Sequence, residues 1–213
     1  MTHTAPSLFS PFVCKGVTFA NRIAMAPMTR SFSPNGIPGP DVADYYRRRA
    51  EGGVGLIFTE GTYPPHDRAG FDPKVPHLYG AEALAGWKRV VEGVHAVGTS
   101  QPTSAKIFSQ IWHLGLQAGG GKPSPEGLQP VGPEMPLGEI QKVIRAYGEA
   151  AANAKAAGFD GIELHGAHGY LIDQFLWEKT NQRTDAYGGS LIRRTRFAVE
   201  AIEAARAAVG PDY

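Results

Sequence analysis

Residues 137–165, LGEIQKVIRAYGEAAANAKAAGFDGIELH, decide the fold class because they place a helix directly before a strand. The helix is predicted from near Gly138 to Gly158, with one apolar face formed by Ile140, Val143, Ile144, Tyr147 and Ala151. Glycine is a common helix terminator, and residues 160–165, DGIELH, are predicted to form the strand that follows. The segment that returns from the helix to the strand, Ala157-Gly158-Phe159, is short, which is typical of repeated βα units.

The same alternation extends in both directions along the chain. Further strands are predicted at 22–27, 55–61 and 105–112. The helices that follow the four strands are predicted at 40–52, 82–97, 138–158 and 190–209, with Gly98 ending the second and Ser190 capping the last. Residues 12–19 predict a short hairpin that turns at Lys15-Gly16.

Alternating strands and helices predict parallel strands, in either a barrel or an open doubly wound sheet. The doubly wound fold usually carries a glycine-rich fingerprint after its first strand, and residues 25–29, MAPMT, are not one. The segments after strands are long and rich in Gly and Pro, whereas the helix-to-strand returns are short. We therefore predict an α/β protein, a (β/α)8 TIM barrel whose active site lies at the C-terminal ends of the strands.

The chain covers about the first four βα units of such a barrel, at residues 22–213, preceded by the hairpin as a cap over residues 1–21. We treat residues 1–213 as a single domain. Because a closed barrel needs roughly 250 residues, we expect a complementary C-terminal half chain or a homo-oligomer as partner. A half barrel alone would expose sheet edges and self-associate.

Composition excludes several classes of function. The 21 Lys and Arg nearly balance the 20 Asp and Glu, so neither nucleic acid nor a membrane surface is an expected partner. The longest apolar runs are strand-sized and too short to span a bilayer. A single cysteine, Cys14, excludes a disulfide framework, and residues 1–10 lack the pattern of a signal peptide. We expect a cytoplasmic protein.

The densest chemistry lies in residues 163–175, ELHGAHGYLIDQF, after the fourth strand. Gly166 and Gly169 allow the backbone to bend, so that His165 and His168 can converge on one oxygen and polarise a carbonyl. Tyr170 adds a proton donor. The alternatives are a zinc site, for which no third ligand has suitable spacing, and a purely structural role at the strand end. The position beyond a barrel strand favours catalysis, and no metal is expected.

Five motifs in order resemble the Old Yellow Enzyme family: NRIAMAPMTR (21–30), TEG (59–61), QIWH (110–113), HGAHGYLIDQFL (165–176) and NQRTDAYGGS (181–190). The resemblance implies FMN as cofactor and NADPH or NADH as reductant. It implies reduction of the C=C bond of an activated alkene, an α,β-unsaturated carbonyl or nitro compound. His165 and His168 would hold the substrate oxygen, the flavin would deliver hydride, and Tyr170 would protonate the α-carbon.

The resemblance also implies roles for residues on the other strands. Pro27, Met28 and Thr29 would lie beside the flavin ring, Gly61 would let the backbone approach it, and Gln110 would bind its pyrimidine edge. His165 would also bind the cofactor. Trp112 would form a wall of the substrate pocket. Read alone, Thr29 is equally a strand-end threonine, Gly61 a loop glycine and Trp112 a packing residue.

Alternative functions remain open at the level of sequence. A dienoyl-CoA-reductase-like relative would add an iron–sulfur cluster, and a half barrel could also act without catalysis, by pairing with its complementary half. Leu116 stands where many relatives carry arginine, and the stretch 133–139 is shorter than usual. Both departures lie at the rim of the pocket, where they would affect substrate preference.

Overall fold

The computed structural model describes residues 7–97 and 105–213. The strands of this part are β1 Phe12–Cys14, β2 Val17–Phe19, β3 Ala24–Met25, β4 Leu56–Thr62, β5 Lys106–Ile111 and β6 Gly161–Leu164. The α-helices are α1 Pro40–Glu51, α2 Ala81–Ala96, α3 Leu137–Ala156, α4 Leu171–Leu176 and α5 Leu191–Val209. Short 3₁₀ segments lie at Pro34–Gly36 and Gly115–Gly121.

Strands β3 to β6 form one parallel sheet in the order β3-β4-β5-β6. Each strand therefore lies beside the next one along the chain, with a helix in every connection. A doubly wound sheet reverses its strand order partway across, and no reversal occurs among the described strands. The order is that of consecutive units of a barrel, which confirms the predicted fold class.

The two faces of the sheet differ in burial. Ile57, Ile107 and Ile111 are fully buried, in one hydrophobic core with the helices on the outer face. Phe58 and Phe108, one residue after Ile57 and Ile107, are half-buried on the opposite, inner face. The helices thus cover the outside of the barrel wall, while the inner face remains partly open.

The hairpin predicted at 12–19 is present, with β1 antiparallel to β2 and a turn at Lys15 and Gly16, both in the left-handed region. Its buried Phe19 packs against Phe108, with ring centroids 6.3 Å apart. Phe108 lies in the N-terminal part of β5, so the hairpin contacts the bottom of the sheet, away from the strand ends where the site is expected.

Several local predictions need correction. The first sheet strand, predicted at 22–27, is only Ala24–Met25. Pro27 limits its C-terminal end, because proline has no N–H with which to continue the ladder. Ser190 occupies the predicted N-cap position of α5, but its hydroxyl makes no capping hydrogen bond. The expected terminator Gly98 lies outside the described residues.

Helix α4 was not predicted at all. Residues 171–176 follow the bend predicted at Gly166 and Gly169, where no helix was expected, and they form a short helix. The helix buries Leu171 and Phe175, and Asp173 accepts a hydrogen bond from the backbone N–H of Gly169 at 2.8 Å. Its start therefore fixes the position of the preceding turn.

The long connections after the strands and the short returns before them agree with the prediction. No helix in the described ranges has the length and apolar character needed to cross a membrane.

Candidate active site

A cavity of about 520 Å³ lies at the C-terminal ends of the sheet strands. It brings together seven of the nine residues predicted for the site, namely Pro27, Thr29, Gln110, Trp112, His165, His168 and Tyr170. Met28 and Gly61 do not line it; Met28 is exposed. The parallel arrangement explains the convergence, because all four strands end on the same side of the sheet.

Residues 165–170, which we call the histidine turn, follow β6. The ring centroids of His165 and His168 are 5.3 Å apart, and those of His165 and Tyr170 are 4.9 Å apart, both edge to face. His168 and Gly169 adopt left-handed backbone conformations, with φ of 60° and 74°. The bend thus depends on the predicted Gly169 and on His168, for which this conformation is uncommon because the residue is not glycine; Gly166 is not left-handed.

The protonation of His165 follows from its hydrogen bonds. Its Nδ1 atom accepts a bond from the N–H of Ala167 at 3.3 Å, which leaves the ring proton of a neutral imidazole on Nε2. Burial, and secondly the nearby His168, lower the pKa of His165 below its usual 6.5. At neutral pH, His165 is therefore a neutral N–H donor, as required to polarise a substrate oxygen without carrying a charge.

Gln174, on α4, holds the histidine turn, a role that was not predicted from the sequence. Its buried amide donates to the carbonyls of Gly169 at 2.7 Å and Leu114 at 3.2 Å, and it accepts from the N–H of Leu116 at 3.1 Å. A glutamine inside an otherwise apolar helix face was the available signal, since a buried amide needs partners.

Trp112 forms one wall of the cavity. Its ring packs edge to face on Tyr170, with centroids 5.0 Å apart, and lies 6.2 Å from the ring of His165. A Cβ atom on Gly61 would lie 2.4 Å from Cε3 of Trp112. Glycine at position 61 is thus required by the indole, which is a different neighbour from the flavin edge that the resemblance implied.

Gln110 is almost fully buried on β5 and directs its amide toward β6. Its Nε2 atom donates to Oε1 of Glu163 at 2.6 Å, and the two residues are register partners in the ladder. Glu163 lines the cavity with no role assigned from the sequence. The alternation along β6 was the available signal, because Glu163 lies two residues before His165.

The loop that carries Thr29 is fixed to β4 by a buried ion pair. Arg30 donates to Oε1 of Glu60 from Nη2 at 2.6 Å and from Nε at 3.1 Å, while its backbone N–H donates to Oε2 at 3.1 Å. Glu60 is fully buried. Burial alone would lower the pKa of Arg30, but the bonds and charge of Glu60 outweigh it and raise that pKa.

A chain of hydrogen bonds begins at His113, which directly follows the cavity residue Trp112. His113 accepts from the N–H of Gly115 at Nδ1, so its Nε2 proton is donated to Nδ1 of His66 at 3.0 Å. The remaining proton of His66 then lies on Nε2, which donates to Glu139 at 3.1 Å. His66, Asp67 and Glu139 are grouped closely enough to hold a cation, but a protonated Nε2 offers no lone pair to a metal.

Parallel strands with imidazole, phenol and amide groups converging beyond their C-terminal ends have the arrangement that active sites take in barrel enzymes. Comparison with protein families identifies the family. Residues 7–213 match the NADH:flavin oxidoreductase / NADH oxidase family, and the chain belongs to it. This is the Old Yellow Enzyme family that the motifs resemble, and its cofactors are FMN and NAD(P)H.

Named relatives agree with this membership. The chain is 41% identical over 229 residues to 12-oxophytodienoate reductase 7 of Oryza sativa subsp. japonica, a match that covers 96% of this chain and 56% of that protein. It is 42% identical over 227 residues to an NADH oxidase of Thermoanaerobacter brockii, a match that covers 100% of this chain and 34% of that protein. The solved structure of morphinone reductase superposes with a TM-score of 0.88 at 33% identity, and the match covers 100% of this chain and 62% of that one. The chain thus spans between a third and two thirds of these relatives.

Proposed function

We propose that this chain supplies the substrate-binding and proton-donating part of an FMN-dependent NAD(P)H oxidoreductase that reduces the C=C bond of α,β-unsaturated carbonyl or nitro compounds. The convergence of His165, His168 and Tyr170 on one cavity is the observation that carries the proposal. Family membership and the similarity to 12-oxophytodienoate and morphinone reductases support the same reaction class.

The residues of the cavity fit a flavin ring. Gln110 offers an amide, with both donor and acceptor, to the polar edge of the ring, and Thr29 offers an exposed hydroxyl at the same end of the sheet. Pro27 and Trp112 add apolar surface to the lining of the cavity. Met28 and Gly61 stay in the proposal as neighbours of the ring, although Gly61 has an independent reason to be glycine in its contact with Trp112.

When bound, FMN would supply the hydride that adds to the β-carbon of the alkene. His165 would donate its Nε2 proton as a hydrogen bond to the carbonyl or nitro oxygen, and His168 would hold the same oxygen. Their hydrogen bonds draw electron density toward the oxygen and make the β-carbon electrophilic. Tyr170 would then transfer its phenolic proton to the α-carbon, and Trp112, packed against the Tyr170 ring, keeps that ring in place.

The variant Tyr170→Phe tests the proton-donor role in the complete barrel, meaning this chain together with the segment that closes it. We expect reduction of an α,β-unsaturated ketone to slow by roughly a hundredfold or more, while reduction of the flavin by NAD(P)H stays unchanged. Rapid-mixing absorbance measurements resolve the two half-reactions. Tyr45→Phe, on the outer helix α1, is the matched control. Equal losses in both half-reactions would contradict the assignment of Tyr170.

The proposal includes the organisation of the barrel. Residues 1–213 would form one domain, with a cap at 1–21 and four βα units at 22–213, completed by a complementary half chain or a homo-oligomer. Support comes from β3 and β6, each of which pairs on one side only within the described ranges, and from the exposed Leu191 and Ile192 of α5. The mass of the protein in solution tests for such a partner.

We also propose a cytoplasmic location. The chain's single cysteine, Cys14, is unpaired and exposed, which suits a reducing compartment. Fractionation of cells with an antibody to the protein tests this location.

A further inference from the structure

The pair formed by Gln110 and Glu163 fixes which end of the Gln110 amide is available to a ligand in the cavity. Both side chains line it, on neighbouring parallel strands, and the bond from Gln110 Nε2 to Glu163 Oε1 is 2.6 Å long. Because the two residues are direct register partners, the contact is built into the sheet and does not depend on a loop.

An ionised carboxylate only accepts hydrogen bonds. Glu163 therefore bonds the NH₂ end of the Gln110 amide and excludes the flipped orientation, in which two oxygens would face each other. The amide oxygen of Gln110 is thereby directed away from Glu163. Among the described residues, no donor reaches this oxygen, so it is free to accept a bond from a ligand.

We propose that Glu163 is a positioning residue that presents the Gln110 oxygen as a hydrogen-bond acceptor, and thereby selects a ring that carries an N–H group. The inference rests on the proposed function. The polar edge of FMN has one N–H group, at N3, between two carbonyl groups. An acceptor held opposite that group bonds FMN and rejects a ring methylated at N3, since the methyl group cannot donate and needs more room.

Glu163→Gln separates this role from a general structural one. The replacement has nearly the same shape, but its amide can donate as well as accept, so the Gln110 amide becomes free to flip. A merely structural role would weaken the binding of both rings equally. A positioning role changes the ratio between them.

The experiment measures the dissociation constants of FMN and 3-methyl-FMN for the apo form of the complete barrel, by titration of flavin fluorescence. We expect the unmodified protein to prefer FMN by roughly tenfold or more, and Glu163→Gln to lose most of that preference. Glu163→Asp keeps the charge but withdraws it by one methylene group, so an intermediate ratio is expected. Glu203→Gln, exposed on α5, is the matched control with an unchanged ratio.

The outcomes separate the two proposals. A preference retained in Glu163→Gln, or an equal loss for both flavins, overturns the role of Glu163 while leaving the proposed function intact. If Glu163→Gln does not fold, the ratio of the two dissociation constants is measured in Glu163→Asp instead, and an unchanged preference for FMN there likewise overturns the role of Glu163. If the unmodified protein binds neither flavin, the proposed function fails and the inference fails with it.

Discussion

Replacing Arg30 by methionine removes the guanidinium from the fully buried Glu60 while keeping most of the apolar stem of the side chain. The carboxylate loses two bonds, at 2.6 and 3.1 Å, and keeps the backbone N–H of residue 30 and the hydroxyl of Tyr46 at 3.4 Å. Neither remaining group carries a positive charge. Breaking a buried pair on one side costs about 3–5 kcal/mol, so we expect Arg30→Met to lower the free energy of unfolding by that amount.

Urea denaturation of the complete barrel, followed by circular dichroism, measures the loss. The double variant Arg30→Met with Glu60→Gln should recover much of it, because no unpaired charge remains buried. Arg47→Met, which breaks the exposed pairs with Asp44 and Glu51 on α1, should change the midpoint little. A loss below about 1 kcal/mol for Arg30→Met, or a double variant no more stable than the single one, would refute the role of the buried pair.

Two further predictions concern packing and pH. Gly61→Ala should destabilise the protein by about 1–3 kcal/mol, because the new methyl group would lie 2.4 Å from the Trp112 ring; Gly138→Ala, with open space around its Cβ position, is the control and should not destabilise it. Burial and the neighbouring imidazole hold the pKa of His113 well below 6.5. Below about pH 6.5 the unfolded chain therefore binds a proton that the folded chain does not, and stability should fall as pH falls, by up to about 1.4 kcal/mol per pH unit. Urea midpoints measured across this range should show a smaller slope in His113→Gln, and an unchanged slope would contradict the assignment.

The alternation of strands and helices could be predicted because each element carries its own period of apolar residues. The convergence of the site followed from the same pattern, since parallel strands end on one side of a sheet. Residues as distant in sequence as Thr29, Gln110 and His165 therefore line one cavity.

Contacts between distant side chains could not be predicted in this way. The hydrogen bonds from Arg30 to Glu60 and from the Leu116 N–H to Gln174 join segments 30 and 58 residues apart, and no local period encodes them. Helix α4 was missed because six residues are too few to establish a helical period beside two glycines. The left-handed conformation of His168 arises from the bonds that hold the turn, which only the folded chain supplies.

The visible absorption of the complete barrel tests the flavin-dependent alkene reduction most directly. With FMN bound, we expect a yellow 1:1 complex whose absorption band is bleached by NAD(P)H under anaerobic conditions and restored by an α,β-unsaturated ketone. The same cycle in Tyr170→Phe should bleach normally and recover slowly. A protein that stays colourless with FMN, or whose bleached flavin is not reoxidised by any activated alkene, would contradict the proposed function.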